Sequence, residues 1–163
     1  MKVAIAQPNE KERLEALYSY QILDSQREKL YDQITYLAMH ICDTPVSLIS
    51  LIDKDRQWFK SAQGLSEKEL PRDTSFCSHA ILDDELFEVT NAFEDQRFFD
   101  NPLVLDEHQI RYYAGMPVIN PDGYRLGTLC VIDKKEKALN EHQKESLKRL
   151  AAIVSTLFEL RKA

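Results

Sequence analysis

The segment Pro71-Arg-Asp-Thr-Ser-Phe-Cys-Ser-His-Ala-Ile81 gathers a guanidinium, hydroxyls, an aromatic ring, a thiol and an imidazole between two apolar, strand-like stretches. Such side chains bind anions, planar rings and metals, so the segment is a candidate ligand-contacting short helix or loop. The competing reading is structural: a helix start capped by Asp73 or Thr74, with Phe76, Cys77 and Ile81 buried. Cys77 would be a nucleophile if His79 lowered its pKa, since the thiolate is the reactive form. Residues two apart on a helix do not face each other, so that pairing requires non-helical backbone. As metal ligands the two fall short of a closed zinc site, and no second Cys/His pair completes it.

Further candidates lie outside this segment. Arg72, Arg97 and Arg111 are suited to gripping an anionic ligand group through paired hydrogen bonds. Internal pairing with Asp73, Asp95 or Asp100 is the favoured reading, since Arg-Asp and Asp-x-Arg neighbours are available locally. Trp58, Phe76 and Tyr113 offer faces on which a planar ligand would stack, or else simply pack.

Composition restricts the setting in which these groups work. A chain of 163 residues fits one domain and buries roughly 70% of its unfolded surface without a staple. Its 44% hydrophobic and 29% charged residues are those of a soluble globular protein. No apolar run approaches the ~20 residues of a membrane span, and the first residues are too short for a signal peptide, so a cytoplasmic location is expected. A net charge of −6 leaves no basic stripe for a phosphate backbone, which argues against nucleic-acid partners. Cys42, Cys77 and Cys130 are odd in number and lack Cys-x-x-Cys spacing, as for free buried thiols.

The elements that must position the candidates follow from periodicity. Asn9 with Glu12, and Ser25 with Glu28, have capping-box spacing ahead of two helices. In the second helix Leu30, Tyr31, Ile34, Leu37, Ala38, Ile41 and Cys42 form one stripe at helical period. Residues 46–52 and 57–62 predict a hairpin, 86–90 a short strand, and 91–101 an ordered loop with short helical turns. Strands 110–119 and 124–133 flank Asn120-Pro-Asp-Gly123, which is turn chemistry. Pro117 marks a bulge or an edge. A last helix starts at the cap Asn140, with Gln143 three residues on, and its apolar residues Ile153 and Leu160 widen the stripe beyond one face. The order describes an α+β domain with an antiparallel sheet, helices from both chain ends on one face, and connections 63–85 and 91–109 closing a pocket on the other.

Five motifs carry a family resemblance: Arg56–Gly64, Pro71–Ile81, Asp95–Leu103, Ile110–Gly115 and Gly127–Asp133. In this order they resemble a GAF domain of the bacterial sensor type found beside histidine kinases and diguanylate cyclases, over about residues 10–160 of one domain spanning 1–163. The resemblance implies an antiparallel sheet of five to six strands ordered 2-1-5-4-3, a pocket that binds a small molecule, and homodimerisation through the terminal helices. It implies a regulatory, non-enzymatic module, fused or partnered with a histidine kinase or diguanylate cyclase output domain. Its pocket wall would draw on Trp58, Arg72, Phe76, Cys77, His79, Asp95, Arg97, Phe98, Arg111 and Tyr113. The late signature of cyclic-nucleotide-binding members is missing. The stretch 101–109, where bilin-binding and methionine-sulfoxide-reducing relatives place a cysteine, holds His108 and no thiol. Neither the residues nor the resemblance specifies a cofactor or a ligand. The alternatives are a thiol-dependent redox protein acting through Cys77, and a ligand-free dimerisation module.

Overall fold

The computed structural model describes residues 1–162. Helices α1 (Glu10–Ser19) and α2 (Lys29–Cys42) precede the hairpin of β1 (Val46–Ile52) and β2 (Arg56–Gln63). There follow an edge strand β3 (Glu69–Pro71), a 3-10 turn at 72–74, α3 (Cys77–Ala80), β4 (Phe87–Val89), a second 3-10 turn at 92–94 and α4 (Pro102–Leu105). A second hairpin, β5 (Tyr112–Ile119) and β6 (Arg125–Asp133), leads into the long helix α5 (Glu141–Lys162). The sheet is antiparallel in the order β3-β2-β1-β6-β5-β4. The five expected strands stand in the expected order. The addition is β3, drawn from a connection whose polar residues gave no strand signal, which pairs with Arg56–Trp58 at the sheet edge.

Both faces of the sheet are covered, which is why its central strands carry apolar residues at successive positions. Ile49, Leu51, Trp58, Tyr112, Leu129 and Val131 meet α1, α2 and α5 through Leu17, Tyr31, Ala38, Leu147, Val154 and Phe158. Leu48, Phe59, Tyr113, Cys130 and Ile132 point the other way, onto Phe76, Cys77, Phe98, Leu103 and Val104 of the two irregular connections. The turn between β5 and β6 forms as expected: Gly123 takes a φ of +88°, and Asn120 Oδ1 accepts from the Tyr124 N–H at 2.8 Å. Pro117 lies beyond Tyr113–Gly115, the part of β5 that β4 covers, and the register shifts just after it, between Val118 and Ile119. The missing donor is thereby accommodated.

Helix starts divide according to what else their polar residues serve. Asn140 and Gln143 form the expected reciprocal cap of α5, at 2.9 and 2.8 Å. The boxes expected at Asn9 and Ser25 do not form: Asn9 makes no capping bond, and α2 begins only at Lys29. Ser25 and Glu28 instead hold the fully buried Lys60 ammonium, at 2.9 and 2.5 Å. Near Asn9, Glu10 pairs at 2.5 Å with the buried Arg13, whose guanidinium also donates to the Ile52 carbonyl at 2.7 Å. A buried cation is costly unless paired, so Lys60 takes the Ser25 and Glu28 acceptors that a helix cap would use; the unused cap at Asn9 has no such explanation.

The α2 stripe is narrower than its spacing predicts. Tyr31, Ile34, Ala38 and Cys42 are buried, whereas Leu30, Leu37 and Ile41 are exposed, as are Ile153 and Leu160 of α5. Among the described residues no helix is long and apolar enough to cross a membrane.

Candidate functional site

A cleft of about 540 Å³ opens on the sheet face away from α1, α2 and α5. Its floor is built by Leu48, Gln57, Tyr113 and Ile132, one from each of the four central strands, and Phe76, Leu70 and Ile110 wall it. Gly64 starts the wall. Its φ is +78°, and an added Cβ would lie 2.0 Å from the Pro45 carbonyl oxygen, so only glycine turns the chain out of β2 this sharply.

A charged bridge spans the two connections at the rim. His108 Nε2 meets Glu67 Oε1 at 2.6 Å, and His108 Nδ1 meets Asp106 Oδ1 at 2.8 Å. Burial opposes the imidazolium, but hydrogen bonds and attraction from the two carboxylates outweigh it and hold the pKa of His108 above its ordinary value. Glu67 is held below its ordinary value: burial works against its charge, while a backbone N–H and His108 work for it. The pair ties residues 64–68 to 103–109 across the cleft.

Behind the floor lies the thiol of Cys77. It accepts from Gln57 Nε2 at 3.1 Å, from Tyr113 Oη at 3.0 Å and from Thr128 Oγ1 at 3.0 Å, with Cys130 Sγ 4.0 Å away. Gly115 makes this possible, because a Cβ there would sit 2.2 Å from the Tyr113 hydroxyl. Burial pushes the Cys77 thiol up, yet hydrogen bonds from Cys130, Thr128, Tyr113 and Ser50 prevail and bring it down. Cys130 moves strongly upward, through burial and the thiolate beside it. The two thiols titrate as a pair, and a charge on one suppresses loss of the second proton.

These features sit on a fold shared with known proteins. A GAF domain family model matches residues 26–157. The chain belongs to the GAF domain family. It is 40% identical over 134 residues to a cyclic di-GMP phosphodiesterase of Pseudomonas aeruginosa, a match covering 82% of this chain and 23% of that protein. It thus spans about a quarter of that relative's length. Among solved structures, free methionine-R-sulfoxide reductase from Neisseria meningitidis, in complex with its substrate, superposes with a TM-score of 0.66 at 16% identity, covering 99% and 98% of the two chains. The GAF domain of an Acinetobacter phosphoenolpyruvate-protein phosphotransferase gives 0.64 at 19% identity, covering 91% and 94%. At such identities these two show the shared fold.

Of the residues proposed for the wall of this GAF pocket, Phe76 and Tyr113 line the cleft. Trp58 does not: it packs in the helix-side core, on the opposite face of the sheet from its neighbours Gln57 and Phe59. Both faces are apolar, so alternation alone leaves the direction of each residue open. The arginines are engaged elsewhere. Arg72 binds Glu10 at 2.9 Å and the Asp53 carbonyl at 3.0 Å, outside the cleft. Arg97 forks onto Asp95 at 3.0 and 2.8 Å, the internal pairing weighed for it. Arg111 donates to the carbonyls of Val104 and Ile110, at 2.9 and 3.1 Å, and holds that loop to β5.

Phe98 is fully buried behind Phe76, stacked at 4.1 Å with 9° between the rings. His79 packs edge-on against Phe98, and its Nε2 lies 3.1 Å from the Lys2 carbonyl. It has no part in lowering the pKa of Cys77. Nor do Asp73 and Thr74 cap α3, since Ser75 Oγ accepts the Ser78 N–H at 3.1 Å.

The cleft also uses Gln57, Glu67, His108 and Asp133, which were not singled out from sequence. Glu67 and His108 fall in the connections expected to close the pocket. Their pairing, 41 residues apart, leaves no local mark. Among the described residues no group of three or more His, Cys, Asp or Glu is placed to hold a metal ion.

Proposed function

We propose that this GAF domain is a non-enzymatic sensory module of the cytoplasm, whose cleft binds a small molecule and whose terminal helices pass occupancy to an output domain. The observation that carries this reading is the link between cleft and helices. Asp133 lines the cleft and pairs with Lys137 at 3.1 Å. The Lys137 ammonium also donates to the carbonyl of Asp43, the residue that ends α2. One step further on, Gln143 in the first turn of α5 donates to the Ile41 carbonyl of α2 at 3.1 Å. A ligand that displaces Asp133 bears on both helix ends through contiguous polar contacts. The similarity to a cyclic di-GMP phosphodiesterase supports an output in cyclic di-GMP turnover, by a phosphodiesterase or a cyclase; a histidine kinase is the alternative output. Hydrogen exchange measured with and without a small-molecule pool from cell extract tests this. Protection is expected at 63–109 together with altered exchange in α5, and unchanged exchange in both regions refutes it.

A second reading, a thiol-dependent redox protein, is favoured by one observation: three donors and a second thiol converge on Cys77 Sγ. It requires alkylation of Cys77 in the native protein to outpace that of Cys42 and Cys130. Equal or slower reaction at Cys77 removes it.

A further inference from the structure

We infer that the cleft selects a small planar molecule that is neutral or cationic and carries an N–H or O–H donor, and that it rejects nucleotides and other anions. This rests on the reading of the cleft as a ligand site. Three observations carry it.

Charge comes first. Three carboxylates, Glu67, Asp106 and Glu107, stand in or at the rim of the cleft against Lys134 and His108, an excess of one negative charge with the imidazole protonated, while the Asp133 carboxylate is matched by Lys137. The imidazole is already matched by Glu67 and Asp106. The guanidiniums that would otherwise receive a phosphate are spent on Glu10, on Asp95 and on backbone carbonyls. An anion entering the cleft would meet a negative rim with no fork of paired donors, the arrangement that phosphate and carboxylate recognition relies on.

Shape comes second. The lining is mainly apolar, with the rings of Phe76 and Tyr113 in it, and Phe76 is fixed from behind by the stacked Phe98. Rigid rings beside an aliphatic floor suit a flat ligand, and the volume suits a small one.

Third, Gln57 is 4% exposed, and its Nε2 is spent on Ser50 Oγ at 2.9 Å and Cys77 Sγ at 3.1 Å. Its Oε1 receives no donor among the described residues, although the residue lines the cleft. Among the described residues the sealed side-chain atom without a partner is Gln7 Nε2, so Gln57 Oε1 is open to the cleft as a free acceptor, and a ligand N–H or O–H supplies its donor.

The test holds the ring constant and varies charge and donor: tryptamine, indole, indole-3-acetate and N-methylindole, with GMP as the nucleotide, titrated calorimetrically into the intact chain. The expected order is tryptamine first, indole next, indole-3-acetate at least about tenfold weaker than tryptamine, and GMP silent. Indole should bind several-fold more tightly than N-methylindole, and Gln57→Leu should abolish that difference. The ligand pair reads the acceptor even if the variant fails to fold. Binding of indole-3-acetate or GMP at least as tight as that of tryptamine overturns the charge selection while leaving the cleft a ligand site. Equal binding of indole and its N-methyl form overturns the role of Gln57. If no indole binds at millimolar concentration but a cell-extract molecule protects 63–109, the ligand class is wrong and the site stands. If neither occurs, both fall.

Discussion

His108 is held by charge on both sides, and that gives the cleft a pH window. Its pKa is raised above 6.5, so its contribution to the bridge is fully present below that value and is lost as pH rises through the higher folded-state value. Glu67 is depressed below 4.5, so its contribution is present above 4.5 and is lost as pH falls through the lower folded-state value. The bridge is therefore strongest between these limits. Hydrogen exchange at 64–68 and 103–109, corrected for intrinsic rates, should accelerate as pH climbs past 6.5 and through the raised folded-state value of His108. In His108→Gln it should already be fast at pH 6 and vary little with pH. A wild-type profile as flat as that of the variant would show that the bridge does not hold the rim.

Between elements, the contacts of Lys137 form a joint. This side chain, just after β6, holds the cleft residue Asp133 on one side and the end of α2 on the other. Lys137→Met keeps most of the apolar stem and removes both polar contacts, at a cost of about 1–2 kcal/mol. In this variant a cleft ligand should still protect 64–68, while the exchange change in α5 disappears. If α5 responds undiminished, the signal takes another route. Arg13 is the comparable joint for α1, tying it to the ends of β1 and β6 through the carbonyls of Ile52, Arg125 and Leu126. Its burial explains why a charged residue occupies an inward position of that helix.

For the whole molecule, seven of the fourteen large apolar residues left in solvent among the described residues lie on helices α1, α2 and α5. Leu37 and Ile41 of α2 and Ile153 and Leu160 of α5 are each at least 39% exposed. An apolar surface of this kind suits association with a second copy, the homodimer expected of such modules. Light scattering should show a concentration-dependent dimer for the wild type, converted to monomer by Ile153→Glu with Leu160→Glu at little cost in thermal stability, since both side chains are exposed. A wild-type chain that stays monomeric at high micromolar concentration removes the proposal.

The elements were legible in the chain because their causes are local. Asn120 to Gly123 carry the chemistry of a turn, Asn140 and Gln143 cap the helix that follows, and the near-continuous apolar runs in 46–52 and 124–133 are a strand signal within the segment itself. The order of those elements and the five motifs pointed to the sheet, its strand order and the two loops that form the cleft. Only the tertiary structure decided which side chains meet inside it. With both sheet faces apolar, nothing in the pattern separates Gln57, which enters the cleft, from Trp58, which does not. Arginine and histidine reach partners far along the chain, as Arg72 reaches Glu10 and His108 reaches Glu67, and such a choice is made by charges brought together only on folding. The segment Pro71–Ile81 shows the division most plainly: its short helix was readable, but of its reactive groups only Phe76 faces the cleft, with Cys77 one layer behind and Arg72 and His79 outside it.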